Sequence, residues 1–135
     1  MSPIPMHLKH FGAAFRFITI LPAGPAAAYH PREMIPFFPA VGLVLGVILA
    51  FADMLFSAFF APFLVGIMDV MVLAALTGAL HLDGLADTAD GFFAHKDRES
   101  ALSIMKDSRI GVMGAVALIC LLLTKYGTFA ALAAG

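Results

Sequence analysis

The chain alternates long uncharged stretches with short polar ones. From Ile35 to Ala52 there is no charge for 18 residues, enough to cross a hydrocarbon core of about 30 Å at about 1.5 Å per residue. A second apolar run extends from Pro62 to Leu82, with Pro62 suited to the first helical turn and Asp69 its single charge. A third starts near Ile110, reaches about Leu123 and can be extended through "TKYGTFAALAAG". Upstream, Leu8, Phe11, Phe15 and Ile18 follow a 3, 4, 3 spacing that puts them on one helical face, with Lys9 and Arg16 turned away. That pattern predicts a short helix lying in the membrane interface. The expected fold is therefore all-α: a polytopic helical membrane protein with about three transmembrane helices plus an N-terminal interfacial helix, forming one membrane-embedded unit over 1–135.

Composition agrees. The chain is 61% hydrophobic, has a mean hydropathy of +0.97, and carries eight basic against nine acidic side chains. Its net charge of −1 leaves no basic face to neutralise a phosphate backbone, so nucleic acid is not an expected partner; a lipid bilayer is. The lone Cys120 cannot form an internal disulfide. Arg16 interrupts the early apolar run and two prolines weaken "LPAGPAAAY" as a cleavage context, which argues against a cleavable leader. In the first span Gly42 and Gly46 form a GxxxG pair suited to close helix approach. Basic residues lie before the first span and between the second and third, while the link between the first two spans has none. The 83–109 segment and the N-terminus are thus expected on the cytoplasmic side of the cell (inner) membrane.

Ten of the charges fall between Asp83 and Arg109. If the second helix runs on past His81, Asp83, Asp87 and Asp90 fall at i, i+4 and i+7, within an arc of roughly 60°. Gly84 and Gly91 form a bare neighbouring stripe. Carboxylates about 6 Å apart repel by roughly 3 kcal/mol per pair at an effective dielectric near 20, and no cation is close in sequence. A divalent metal relieves that repulsion. Magnesium prefers hard oxygen ligands and takes one or two carboxylates plus substrate phosphates, so the row suits a metal-bound diphosphate.

The next polar cluster is "MKDSRIG", Met105 to Gly111. Asp107 and Ser108 can cap the third span. A basic residue works against the dipole at a helix start, which suggests that Arg109, with Lys106, meets an anion or an aspartate. His81 reads as an interfacial residue, since no second histidine lies at ligand spacing. The mixed-charge run from His95 to Glu99 reads as a solvated loop. Asp69 reads either as a functional group at membrane depth or as a side chain snorkelling to the far interface.

"TGALHLDGLADTADGFF", residues 77–93, together with "IMKDSRIGVMG", residues 104–114, closely resembles the cobalamin synthase family, the adenosylcobinamide-GDP ribazoletransferases; "FRFITILP" and "FFPAVGLVLG" resemble its N-terminal region. The similarity covers nearly all of this chain and about the first half of the family's usual length, so the chain is expected to be the N-terminal part of a longer transferase. Ile20 stands where the family commonly has an arginine, Ala79 replaces one of two adjacent glycines, and the family's later TGD-type acidic motif is absent. The resemblance implies a magnesium-dependent membrane transferase that joins α-ribazole, or its 5′-phosphate, to adenosylcobinamide-GDP and releases GMP. It implies catalytic roles for Asp83, Asp87, Asp90 and Arg109, metal ligation by the three aspartates, and substrate contacts from Gly84, Gly91, Lys106, Asp107 and Ser108. In an alternative role, one aspartate, Asp90 among the candidates, would accept the ribazole proton. Two other classes share features: the CDP-alcohol phosphotransferases of lipid synthesis, whose motif also begins Asp-Gly-x-x-Ala but continues with arginine where this chain has Asp87, and cation transporters lined by carboxylates.

Overall fold

A computed structural model describes residues 5–23 and 30–134, and the elements among them are helices with no strand. Most of the "LPAGPAAAY" tract lies outside the described residues. Helix α1, Met6–Ile18, ends where Thr19 turns extended; the Thr19 hydroxyl donates to the Phe15 carbonyl at 2.8 Å and accepts from the Leu21 N–H at 3.2 Å. The short α2, Pro31–Met34, passes through a 3-10 turn at Ile35–Phe37 into α3, Phe38–Ser57. After a tight connection come α4, Pro62–Leu76, and α5, Leu80–Phe93, then α6, Arg98–Ile104, and α7, Val112–Ala133. Pro62 occupies the first turn of α4, where its missing N–H costs nothing.

The apolar face of α1 is only partly turned to lipid. Phe11, Phe15 and Ile18 pack on a small core of Ala14, Met34, Val41 and Leu45, which pins α1 across the entry to α3, while Leu8 stays exposed. His10 Nε2 adds a 3.0 Å contact to Glu33 of α2. Two helical stretches are long and apolar enough to cross a membrane, Pro31–Ser57 and Val112–Ala133, and α4 with α5 makes a third candidate only as a bent pair. The exposed apolar residues of α3, among them Leu43, Val47 and Phe51, have the bilayer as their natural solvent.

The expectation of one straight helix from Pro62 through the acidic row is not met. The chain bends by 88° between α4 and α5. Thr77 closes α4, the Gly78 N–H donates to the Ala75 carbonyl at 3.2 Å, and the Ala79 N–H reaches back to the Ala74 carbonyl at 2.8 Å. This is a Schellman closure, and it requires a left-handed residue just past the helix end, here Gly78 with φ +56°. Ala79 is left-handed as well, with φ +58°, despite carrying a Cβ. The Ile20 N–H donates to the Leu76 carbonyl at 2.9 Å, so the segment after α1 occupies another of the carbonyls left open at this helix end.

Helix α7 lies along both α4 and α5. It approaches α4 so closely that a Cβ on Gly66 would come 2.8 Å from the Ala130 backbone nitrogen. By contrast Gly42 and Gly46 have nothing within 4 Å of an added Cβ, so the GxxxG pair mediates no helix contact among the described residues. Asp69 does not snorkel: it is 1% exposed, it lies beside Asp53 of α3, and its Oδ1 has no partner.

A left-handed alanine costs about 1–2 kcal/mol, part of which is offset by the greater unfolded-state freedom of glycine. Ala79→Gly is therefore expected to stabilise the chain by about 1 kcal/mol, read as a higher thermal unfolding midpoint in detergent micelles. A lower midpoint would mean that the backbone at 79 is not strained.

Candidate active site

The right-angle bend decides where the acidic row points. Bent 88° away from α4, α5 does not continue the line of that helix. Leu82, Asp83, Ala86 and Asp87 then form one wall of an open cleft of about 690 Å³, with Gly78 and Ala79 of the bend at its edge. The opposite wall is the loop between α6 and α7, contributing Lys106, Asp107, Ser108, Arg109 and Ile110, and Leu118 of α7 adds an apolar patch. Six of the nine residues singled out from sequence, Asp83, Asp87 and the four from Lys106 to Arg109, thus meet in one cleft.

The other three do not line it. Gly91 is a packing residue: a Cβ there would lie 2.6 Å from Met105 Cγ and 3.0 Å from the Ala101 carbonyl oxygen, so its bareness lets α6 dock on α5. Gly84 faces open space, and its carbonyl accepts a 2.6 Å hydrogen bond from the Thr88 hydroxyl. Asp90 is turned to the start of α7, where it accepts from the Gly111 N–H at 2.7 Å and the Gly114 N–H at 2.8 Å. Among the described residues no three His, Cys, Asp or Glu side chains gather into a metal cluster. Two carboxylates in a cleft still match the donor set that magnesium takes when phosphates complete its shell.

The loop from Lys106 to Arg109 is held by its own chemistry. Asp107 Oδ1 accepts from the Arg109 N–H at 3.0 Å, and the guanidinium closes on the same carboxylate, with Nη2 2.6 Å from Oδ2. Arg109 thus meets an aspartate, as its place at a helix start suggested, while its side chain stays 87% exposed and open to a ligand anion. Neither Asp107 nor Ser108 caps α7, whose N-cap is Gly111. Nor is the His95–Glu99 run all loop, because Asp97 caps α6 by accepting from the Ser100 N–H at 2.8 Å, which lowers its pKa. His81 spends a ring nitrogen on Thr77, with Nδ1 3.1 Å from the hydroxyl at the bend.

The chain as a whole matches known proteins. A family model described as cobalamin-5-phosphate synthase matches residues 10–135. The chain belongs to the cobalamin-5-phosphate synthase family. A relative from Geotalea daltonii named adenosylcobinamide-GDP ribazoletransferase is 41% identical over 122 residues, covering 88% of this chain and 49% of that protein. One of the same name from Escherichia coli O17:K52:H18 is 43% identical over 123 residues, covering 87% and 49%. The chain thus spans about half the length of the curated relatives it matches. No solved structure matches.

Within the cobalamin synthase signature, residue spacing alone missed the bend and the part it plays in the cleft. Its signal was present: a Thr-Gly pair closing an apolar run is a helix stop. For the second signature segment the structure makes a direct prediction. The Arg109 guanidinium and backbone N–H hold the Asp107 carboxyl down to about pKa 2. The loop contact is complete above the ordinary aspartate range near 3.9 and is lost as pH falls through about 2. A carboxyl-detected NMR titration should show Asp107 titrating near that value and returning towards 3.9 in Arg109→Ala; an unchanged titration would mean that the pair does not form.

Proposed function

We propose that this chain supplies a diphosphate-handling site of an adenosylcobinamide-GDP ribazoletransferase, a late step of vitamin B12 assembly. The observation that carries the reading is the cleft itself, which places Asp83 and Asp87 across from Lys106 and Arg109. A diphosphate has anionic oxygens for both walls. Lys106 and Arg109 neutralise them directly, Arg109 through the planar fork suited to phosphate. Asp83 and Asp87 would hold Mg2+, which when bound supplies charge neutralisation and polarises the phosphoryl oxygens.

In the reaction, a ribose hydroxyl of α-ribazole, or of its 5′-phosphate, attacks the phosphorus bound to the cobinamide arm. A new P–O bond forms, the P–O bond to the GMP portion breaks, and GMP leaves with the bonding pair. The proton of the attacking hydroxyl passes to a cleft carboxylate. Phosphoryl transfer needs little else from a protein than in-line positioning and charge neutralisation. Ser108, which also lines the cleft, would orient the substrate phosphates through its hydroxyl, and the apolar edge of the cleft suits a substrate held at a membrane surface. The basic residues flanking the spans favour an inner-membrane orientation with this cleft on the cytoplasmic side, where nucleotide substrates are found.

The test is GMP release from adenosylcobinamide-GDP and α-ribazole by the chain in liposomes, with magnesium varied. Asp83→Asn and Asp87→Asn are each expected to lower turnover by about 100-fold and to raise the magnesium needed for half-maximal rate. Arg109→Ala is expected to lower it about 10- to 100-fold. Turnover near that of the unaltered chain in both aspartate variants, with an unchanged magnesium requirement, would overturn the reading.

A further inference from the structure

The third aspartate of the row is placed differently from the other two. On an isolated helix Asp83, Asp87 and Asp90 share a face, and periodicity gives no reason to separate them. In the structure Asp83 and Asp87 line the cleft and Asp90 does not. Both Asp90 oxygens accept backbone N–H groups at the start of α7: Oδ2 from Gly111, the N-cap residue, and Oδ1 from Gly114, three residues on. These are among the donors that a helix start leaves unpaired, and α7 has no capping side chain of its own. The junction is built around this contact. A Cβ on either Gly111 or Gly114 would strike the Asp90 carboxylate, and one on Gly114 would also come 2.9 Å from the Ala86 carbonyl oxygen.

We propose that Asp90 is a positioning residue, a cap supplied to α7 by α5 that fixes the Lys106–Ile110 loop opposite Asp83 and Asp87, and that it is not a ligand of the metal. The inference deepens the proposed function and rests on it for the metal at Asp83 and Asp87. The cap joins α5 to α7, the cleft wall from α5 to the loop that leads into α7, and so holds the two walls at their separation. An anionic acceptor is the best partner for these N–H groups, because the charge also meets the positive end of the α7 dipole. Gly111 and Gly114 follow Arg109 closely in the second signature segment because the helix start must admit that carboxylate.

Two measurements on the chain in nanodiscs separate the roles. Mn2+ binding followed by electron paramagnetic resonance reads the metal, and amide hydrogen exchange at Gly111 and Gly114 reads the cap. Asp90→Ala is expected to speed exchange at both amides about five- to tenfold while changing Mn2+ affinity by less than about twofold. Asp90→Asn keeps an acceptor oxygen and should restore part of the protection. Asp83→Asn and Asp87→Asn should do the reverse, weakening Mn2+ about tenfold or more with the two amides unaffected. Loss of Mn2+ binding in Asp90→Asn with exchange unchanged would overturn the proposal. If the unaltered chain binds no Mn2+, the metal reading of the cleft fails on its own, and the exchange rates in Asp90→Asn and Asp90→Ala still decide whether Asp90 is the cap.

Discussion

The left-handed pair Gly78–Ala79 is the constraint on which the rest of the structure depends. Without it α4 would run on as a helix and carry the aspartates out along a span. With it the chain turns through 88°, and the acidic face of α5 comes to lie across from the loop that precedes α7. The turn is secured from several sides: a Schellman closure from Gly78 and Ala79, a hydroxyl of Thr77 shared between the Leu73 carbonyl and His81, and the Ile20 N–H on the Leu76 carbonyl. A helix end near lipid needs such partners, since bilayer hydrocarbon offers no water to satisfy open carbonyls.

The cleft that results answers the electrostatic difficulty of the acidic row in two ways. Asp90 is met by two backbone N–H groups at the positive end of the α7 dipole. Asp83 and Asp87 face Lys106 and Arg109 across open space, where a metal and a diphosphate would balance their charge. Arg109 is kept from swinging freely by Asp107, which orients the guanidinium while leaving most of it exposed.

Much of this was legible from residue order. The first and third apolar runs predict helices in the right places: the third run starts near Ile110, reaches about Leu123 and can be extended, and the helix there is Val112–Ala133. The aromatic face of α1 was legible too, though its partner was not, because Phe11, Phe15 and Ile18 suit lipid and the flank of α3 equally well. Asp83, Asp87 and the Lys106–Arg109 cluster stand out because charged side chains are costly in so greasy a chain, and a concentration of both signs in one segment marks a place where charge is met by charge. The family signature then joins the two segments. Gly91, expected to touch substrate, packs against α6 in the structure, and a bare backbone has the same appearance in sequence whether a ligand or another helix lies against it.

What the sequence by itself determined was local: which stretches are apolar enough to be helices in a membrane, which positions share a helical face, and which residue types suit phosphate and metal chemistry. Those depend on side-chain chemistry and a fixed helical period. Tertiary structure decided the direction of α5, the division of one aspartate row into two cleft carboxylates and one cap, the burial of Asp69 beside Asp53, and the open space that the described residues leave beside Gly42 and Gly46. Each of these depends on what another segment places within a few ångströms, and a one-dimensional period carries no information about that distance.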